Sequence, residues 1–154
     1  MTEQLRIHTL GGLSIDQNDQ RIIGFDENKV PALIVFLACN PRPYPREELA
    51  EMLWENYPQG DALRNLRRVF TELRQTVGSY VDIPLRGKHA GIAPNGNWWL
   101  DTVEFETRLD AARPDDIDAL EEAVACYQGD FLVGFFIDSQ SYEEWTTRER
   151  ERLR

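Results

Sequence analysis

Arg64, Arg67, Arg68 and Arg74 fall within one short stretch, interleaved with Asn65, Thr71 and Gln75. Arginine forks onto phosphate oxygens and base edges, and amide and hydroxyl side chains hydrogen-bond beside it. A second basic group follows at once, with Arg86, Lys88 and His89 around Gly87. Residues 60–92 hold six basic side chains (Arg64, Arg67, Arg68, Arg74, Arg86, Lys88) against three acidic ones (Asp61, Glu72, Asp82), a local charge of +3. This is chemistry for holding a duplex, and bond-breaking machinery is not patterned anywhere. There is no phosphate-cradling glycine loop, nucleophile elbow or metal-ligand cluster. His8 reads as a strand-surface residue, and Asp115-Asp116 and Glu143-Glu144 read as helix-start and surface charges rather than an acid–base pair. The expectation is no catalysis, no cofactor and no metal.

The elements that must position these side chains can be read from spacing. Leu63, Leu66, Phe70, Leu73 and Val77 recur at three and four, one apolar stripe on a helix opened by Gly60-Asp61 and ended by Gly78 as a C′ glycine. Arg64, Asn65, Arg68, Thr71 and Gln75 take the opposite face, with Arg67 and Arg74 nearer its edges. After it, the run DIPLRGKHAGIAP predicts two short strands joined at the basic tip. Arg46–Trp54 predicts a preceding helix with Leu49, Met52 and Leu53 inward, and Glu55–Gly60 a turn between the two. Helix, turn, basic helix and basic hairpin, in that order, are the parts of a winged helix-turn-helix. Its helix enters the major groove, and its hairpin reaches for backbone or minor groove. Taken alone, a polar helix face with arginines is usually just a solvated surface, and it is the order of helix, turn, helix and hairpin that points to DNA.

Upstream, Leu5–Leu10 alternates with Leu5, Ile7 and Thr9 on one side. Gly11-Gly12 breaks it, Leu13–Asp16 is a second strand, and residues 17–20 turn into Arg21-Ile22-Ile23, which predicts a small antiparallel sheet. Asn28 is placed to cap a helix running to Cys39, with Val30, Leu33, Ile34, Leu37 and Ala38 buried. Downstream of Trp98-Trp99 the composition changes. Residues 1–98 carry 11 Lys/Arg and 12 Asp/Glu (−1), residues 99–154 carry 6 and 15 (−9), and together they make the net −10. A boundary is placed there, giving domains 1–98 and 99–154. Asp101 is expected to cap a helix over 102–112, with Val103, Phe105 and Leu109 as candidates for burial. A further helix over 117–127 has Ile117, Leu120, Ala123, Val124 and Tyr127 on one stripe, and Ser139 or Ser141 starts a last helix that runs to Arg154 without a stop signal, as in a truncated longer chain. Cys39 and Cys126 read as buried free thiols of a reducing compartment. The run Pro31–Cys39 is too short to span a bilayer, and the first residues lack a signal-peptide pattern, which points to the cytoplasm.

LRIHTLGG with LSID, EELAEMLW, ALRNLRRVFTELRQTVG and IPLRGKHAGI resemble the OmpR/PhoB-type winged helix, and more specifically that domain in SARP-type bacterial transcriptional activators. DTVEFETRLDAA, ALEEAVACYQGDFLVGF and SYEEWTTRERERLR resemble the start of the bacterial transcriptional activator domain that follows it there. The resemblance implies an α+β fold: a winged helix-turn-helix with an N-terminal antiparallel sheet, then a truncated all-α part related to tetratricopeptide repeats. It implies double-stranded DNA as a partner, bound at promoter repeats by side-by-side copies (a homodimer on tandem sites), and recruitment of RNA polymerase. By position, Arg64, Asn65, Arg67, Arg68, Thr71, Arg74 and Gln75 fall on the recognition helix, and Arg86, Lys88 and His89 fall on the wing. Asn56, Tyr57 and Gln59 fall on the loop that would touch polymerase. Two departures stand out: Glu72 where relatives commonly carry Arg, and Ala90-Gly91 where many carry an aromatic. A protein-interaction module that keeps the fold without DNA is the other reading, motivated by Glu72 and the −9 segment.

Overall fold

The computed structural model describes residues 4–17, 20–22, 28–78, 85–86, 89–92 and 96–154. In chain order the elements are β1 (Leu5–His8), β2 (Ser14–Gln17), β3 (Gln20–Arg21), α1 (Lys29–Cys39), β4 (Tyr44–Pro45), α2 (Arg46–Leu53), α3 (Gln59–Val77), β5 (Leu85–Arg86), β6 (His89–Ala90), β7 (Trp98–Leu100), α4 (Asp101–Ala111), α5 (Ile117–Ala125) and α6 (Gln140–Leu153). The class is α+β. Two compact units share these elements. One comprises Met1–Ile22, Trp98–Phe135 and Thr146–Arg154, and the other Ile23–Asn97 and Phe136–Trp145.

The first unit is built on a four-stranded sheet of order β3-β2-β1-β7. Leu5, Ile7, Ile15 and Leu100 bury against its core, as strand alternation predicts. β1 and β2 pair antiparallel, but the pair β1–β7 is parallel, with Leu5 opposite Trp98 and Ile7 opposite Leu100. The sheet is therefore mixed, because Trp98-Trp99-Leu100 supplies a strand where the sequence offered only a boundary. Asp101 does not cap α4. It occupies the first helical position, 4 % exposed, and its carboxylate accepts Thr9 N and Leu10 N at 2.8 Å each and Thr9 Oγ1 at 2.7 Å. The same end of β1 receives the GDFL stretch: Leu10 bridges Phe131, Leu132 N donates to Thr9 O at 2.7 Å, and Gly11 N donates to Asp130 O at 3.1 Å. Phe131 and Leu132 are fully buried, and Leu132 pays for its place with a left-handed backbone, φ +53°. Gly129 lies against Gly11 so closely that a Cβ on it would sit 2.9 Å from Gly11 Cα.

In the second unit α1 is buried all round, from Val30 to Ala38. The face that would otherwise be wet is covered by residues 136–145. Tyr142 Oη donates to Ala32 O at 2.8 Å, and Trp145 packs edge-on to Phe36 with ring centroids 5.0 Å apart. Asn28 makes no side-chain cap, and its amide donates to Phe136 O at 3.3 Å instead. Leu49, Ala50 and Leu53 bury from α2. Gly78 closes α3 in the right-handed region, φ −62°, so it is not a left-handed C′ glycine. Ser139 does begin α6, since its Oγ accepts Tyr142 N at 3.2 Å.

Burial differs from expectation in the remaining helices. Phe105 is buried in α4, but Val103 and Leu109 are exposed. In α5 only Ala123 is buried. Both cysteines are free thiols, half-buried rather than buried. No described helix is long and apolar enough to cross a membrane.

Candidate nucleic-acid interface

α3 is the longest helix among the described residues. Ala62, Leu66, Val69, Phe70, Leu73 and Val77 form its buried side, while Leu63 is half-exposed. At about 100° per residue these six buried positions span roughly 100° of the helix. Arg64, Arg67, Arg68, Thr71, Arg74 and Gln75 are all exposed and fall together on the far side, within an arc of roughly 120° by the same geometry. Arg74 marks one margin of this arc and Arg67 lies next to it, nearer the edge than Thr71 and Arg64, as the spacing predicts. Asn65 and Glu72 are half-buried on one flank of it.

The arc carries four guanidinium groups and no carboxylate. Asp61, one turn earlier, holds Arg64 Nη1 at 3.0 Å. An exposed pair of this kind is worth less than about 1 kcal/mol, so a phosphate can take Arg64 from it at small cost. Thr71 Oγ1 donates back to Arg67 O at 3.0 Å, which orients the hydroxyl along the helix and leaves its lone pairs outward.

The hairpin stands on α2. β4, β6 and β5 form a three-stranded antiparallel sheet, with Tyr44 opposite Ala90 and Pro45 opposite His89 on one side, and Arg86 opposite His89 on the other. Because β4 runs directly into α2, the hairpin strands are joined to the helix-turn-helix by backbone pairing. His89 is exposed. Gly87 and Lys88 lie outside the described residues. Ala90 is buried, and Gly91 packs on the chain at Arg42-Pro43, where an added Cβ would meet Arg42 O at 2.6 Å. The small pair Ala90-Gly91 therefore suits a place with no room for a larger side chain.

Asn56 and Tyr57 are exposed in the turn between α2 and α3, whereas Gln59, expected in that loop, is exposed as the first residue of α3. Lys29 Nζ lies 5.2 Å from the Trp54 ring and 5.4 Å from the Tyr57 ring. The residue sequence reasoning missed is Glu55. Its carboxylate accepts Gln140 N, and also Ser141 N at 3.3 Å and Ser141 Oγ at 2.8 Å, so it caps α6 from the turn. The hydrogen bond from Gln140 N, then that from the Ser141 hydroxyl, hold the Glu55 carboxyl below its ordinary value. Ser139 Oγ adds a bond to Met52 O. Ser139 and Ser141 announce a helix start, but nothing local to Glu55 announces a partner far along the chain.

No protein-family model matches the chain, and no curated protein matches it in sequence. Among solved structures it is similar to Mycobacterium tuberculosis EmbR, determined in complex with a low-affinity phosphopeptide. The TM-score is 0.70 at 18 % identity, over 99 % of this chain. This chain spans 43 % of that EmbR chain. The likeness is one of fold, and it joins a winged helix-turn-helix with an N-terminal sheet to a helical part in a single chain.

Proposed function

We propose, from a fold like that of EmbR and of SARP type, a sequence-specific, DNA-binding transcriptional regulator of bacterial, cytoplasmic type, an activator rather than an enzyme. Residues 1–98 serve as the OmpR/PhoB-type DNA-binding domain, and residues 99–154 as the first helices of a TPR-like bacterial transcriptional activator domain. The observation that carries this reading is the exposed α3 arc, with Arg64, Arg67, Arg68, Thr71, Arg74 and Gln75 on one face of a helix whose other face is buried. A helix with that division can enter the major groove, where guanidinium forks read guanine and amides read adenine. Asn65 at the flank, and Arg86, Lys88 and His89 on the hairpin, serve phosphates and the adjacent groove. Asn56, Tyr57 and Gln59 form the surface offered to RNA polymerase, and copies of the chain bind side by side on tandem sites.

The test is fluorescence anisotropy against a random duplex pool, followed by sequencing of the retained fraction. An enriched repeat with salt-sensitive binding supports the reading. Absence of duplex binding at any salt favours the interaction-module reading, to which the −9 charge of residues 99–154 belongs. Arg68→Ala is expected to reduce discrimination between sites by about 1–3 kcal/mol, and Arg86→Ala to weaken all sequences alike. Equal, site-independent losses for both substitutions would remove the distinction between reading helix and positioning hairpin.

A further inference from the structure

α5 carries its apolar residues on the outside. Ile117 is 67 % exposed and Val124 58 % exposed, and Leu120 between them is half-buried. Their spacing of three and four places them on one stripe running the length of the helix. A stripe with this spacing is normally what a helix buries, and here only Ala123 is buried.

The surroundings of the stripe are acidic. Residues 104–122 hold eight Asp/Glu and two Arg. Some of those carboxylates are engaged: Arg108 holds Glu104 at 2.7 Å and Glu122 at 3.2 Å, Arg152 holds Glu106 at 2.7 Å, and Asp116 caps α5 by accepting Ala119 N at 3.1 Å. Asp110, Asp115, Asp118 and Glu121 have no ion-pair partner among the described residues. Asp115, Asp116 and Asp118, with Arg113, line an open notch that also includes Ile117, at the start of the stripe. Apolar stripe and acidic notch thus meet at one residue.

We propose that this face of α5 is a docking site for a basic amphipathic helix of a partner protein, laid along Ile117, Leu120 and Val124 with a lysine or arginine in the Asp115/Asp118 notch. Helix-on-helix recognition uses apolar anchors at this spacing, and the surrounding carboxylates select a cationic partner over an anionic one. The proposal stands independently of DNA binding by α3.

The test uses the whole chain and two fluorescein-labelled designed helical peptides of equal length, one of Leu and Lys and one of Lys and Ser without an apolar face. The Leu/Lys peptide is expected to bind and the Lys/Ser peptide to bind at least tenfold more weakly. The double variant Ile117→Ser, Val124→Ser should lose at least tenfold for Leu/Lys. Asp115→Asn with Asp118→Asn should weaken binding and flatten its salt dependence. Asp116 is left intact because it caps α5, and circular dichroism checks that each variant keeps its helix content. Equal binding of both peptides, or unchanged binding by the Ile117/Val124 variant, would overturn the proposal by reducing it to attraction toward a −10 chain. Sedimentation of the chain alone is run in parallel, and self-association abolished by the same double variant would assign the face to a second copy instead.

Discussion

At the scale of single residues, a buried carboxylate that sequence reasoning placed in a cap instead clamps two elements. Asp101 accepts three hydrogen bonds from Thr9 and Leu10 in a buried site, and so fixes the end of β1 to the start of α4. Removing it strands two buried backbone N–H groups, which water would otherwise satisfy. Asp101→Ala is therefore expected to lose about 3 kcal/mol of stability, measured by urea unfolding. A loss below about 0.5 kcal/mol would mean that the site relaxes to admit water. Gly91 carries a comparable constraint of space. Its neighbour at Arg42 is backbone, which cannot rotate away, so Gly91→Ala is expected to cost about 1–3 kcal/mol by overpacking. The same substitution should also loosen the pairing of β6 with β4, seen as faster exchange of the strand amides.

At the scale of elements, α6 depends on a residue outside itself. Gln140 N and Ser141 N are among the orphan donors of its first turn, and the Glu55 carboxylate satisfies them from the turn between α2 and α3. The Glu55 carboxyl is held below its ordinary value of 4.5, so the folded state favours the ionised form. Its contribution is then fully present above pH 4.5 and is lost as pH falls through the lowered folded value. Hydrogen exchange at Gln140 and Ser141 should therefore show protection at pH 7 that fades in acid, relative to amides in the middle of α6. Glu55→Gln, which cannot ionise, should abolish that relative pH dependence. An unchanged profile in the variant would show that the serines alone hold the first turn.

At the scale of the whole molecule, charge is divided along the chain. The −9 of residues 99–154 opposes long-range attraction to DNA, while the +3 of residues 60–92 acts locally, over a Debye length of about 8 Å in physiological salt. If about five phosphates are contacted, log affinity should fall with log salt at a slope of roughly −4.5. A fourfold rise in salt would then weaken binding by roughly 500-fold. Titration of one duplex across 50–200 mM salt, about the range over which counterion release is read, measures the slope. A slope near zero would mean that the α3 arginines do not neutralise phosphates.

Elements whose stability comes from local periodicity were legible in the sequence. The α3 stripe, the paired strands β1 and β2, the β5–β6 hairpin and the serine start of α6 all follow from spacing and capping chemistry, because a helix or strand repeats its own burial pattern. The exposed arginine arc followed with them, since a helix that buries one side must show the other. Long-range partners were not legible. Whether Asp101 caps α4 or clamps Thr9, whether α1 is wet or covered by Tyr142 and Trp145, and whether the α5 stripe is buried or bare depend on segments distant in sequence. A side chain's own neighbours set which face it occupies. Only the packing of the chain decides what meets that face, and here it left α5 uncovered and tied Glu55 to α6.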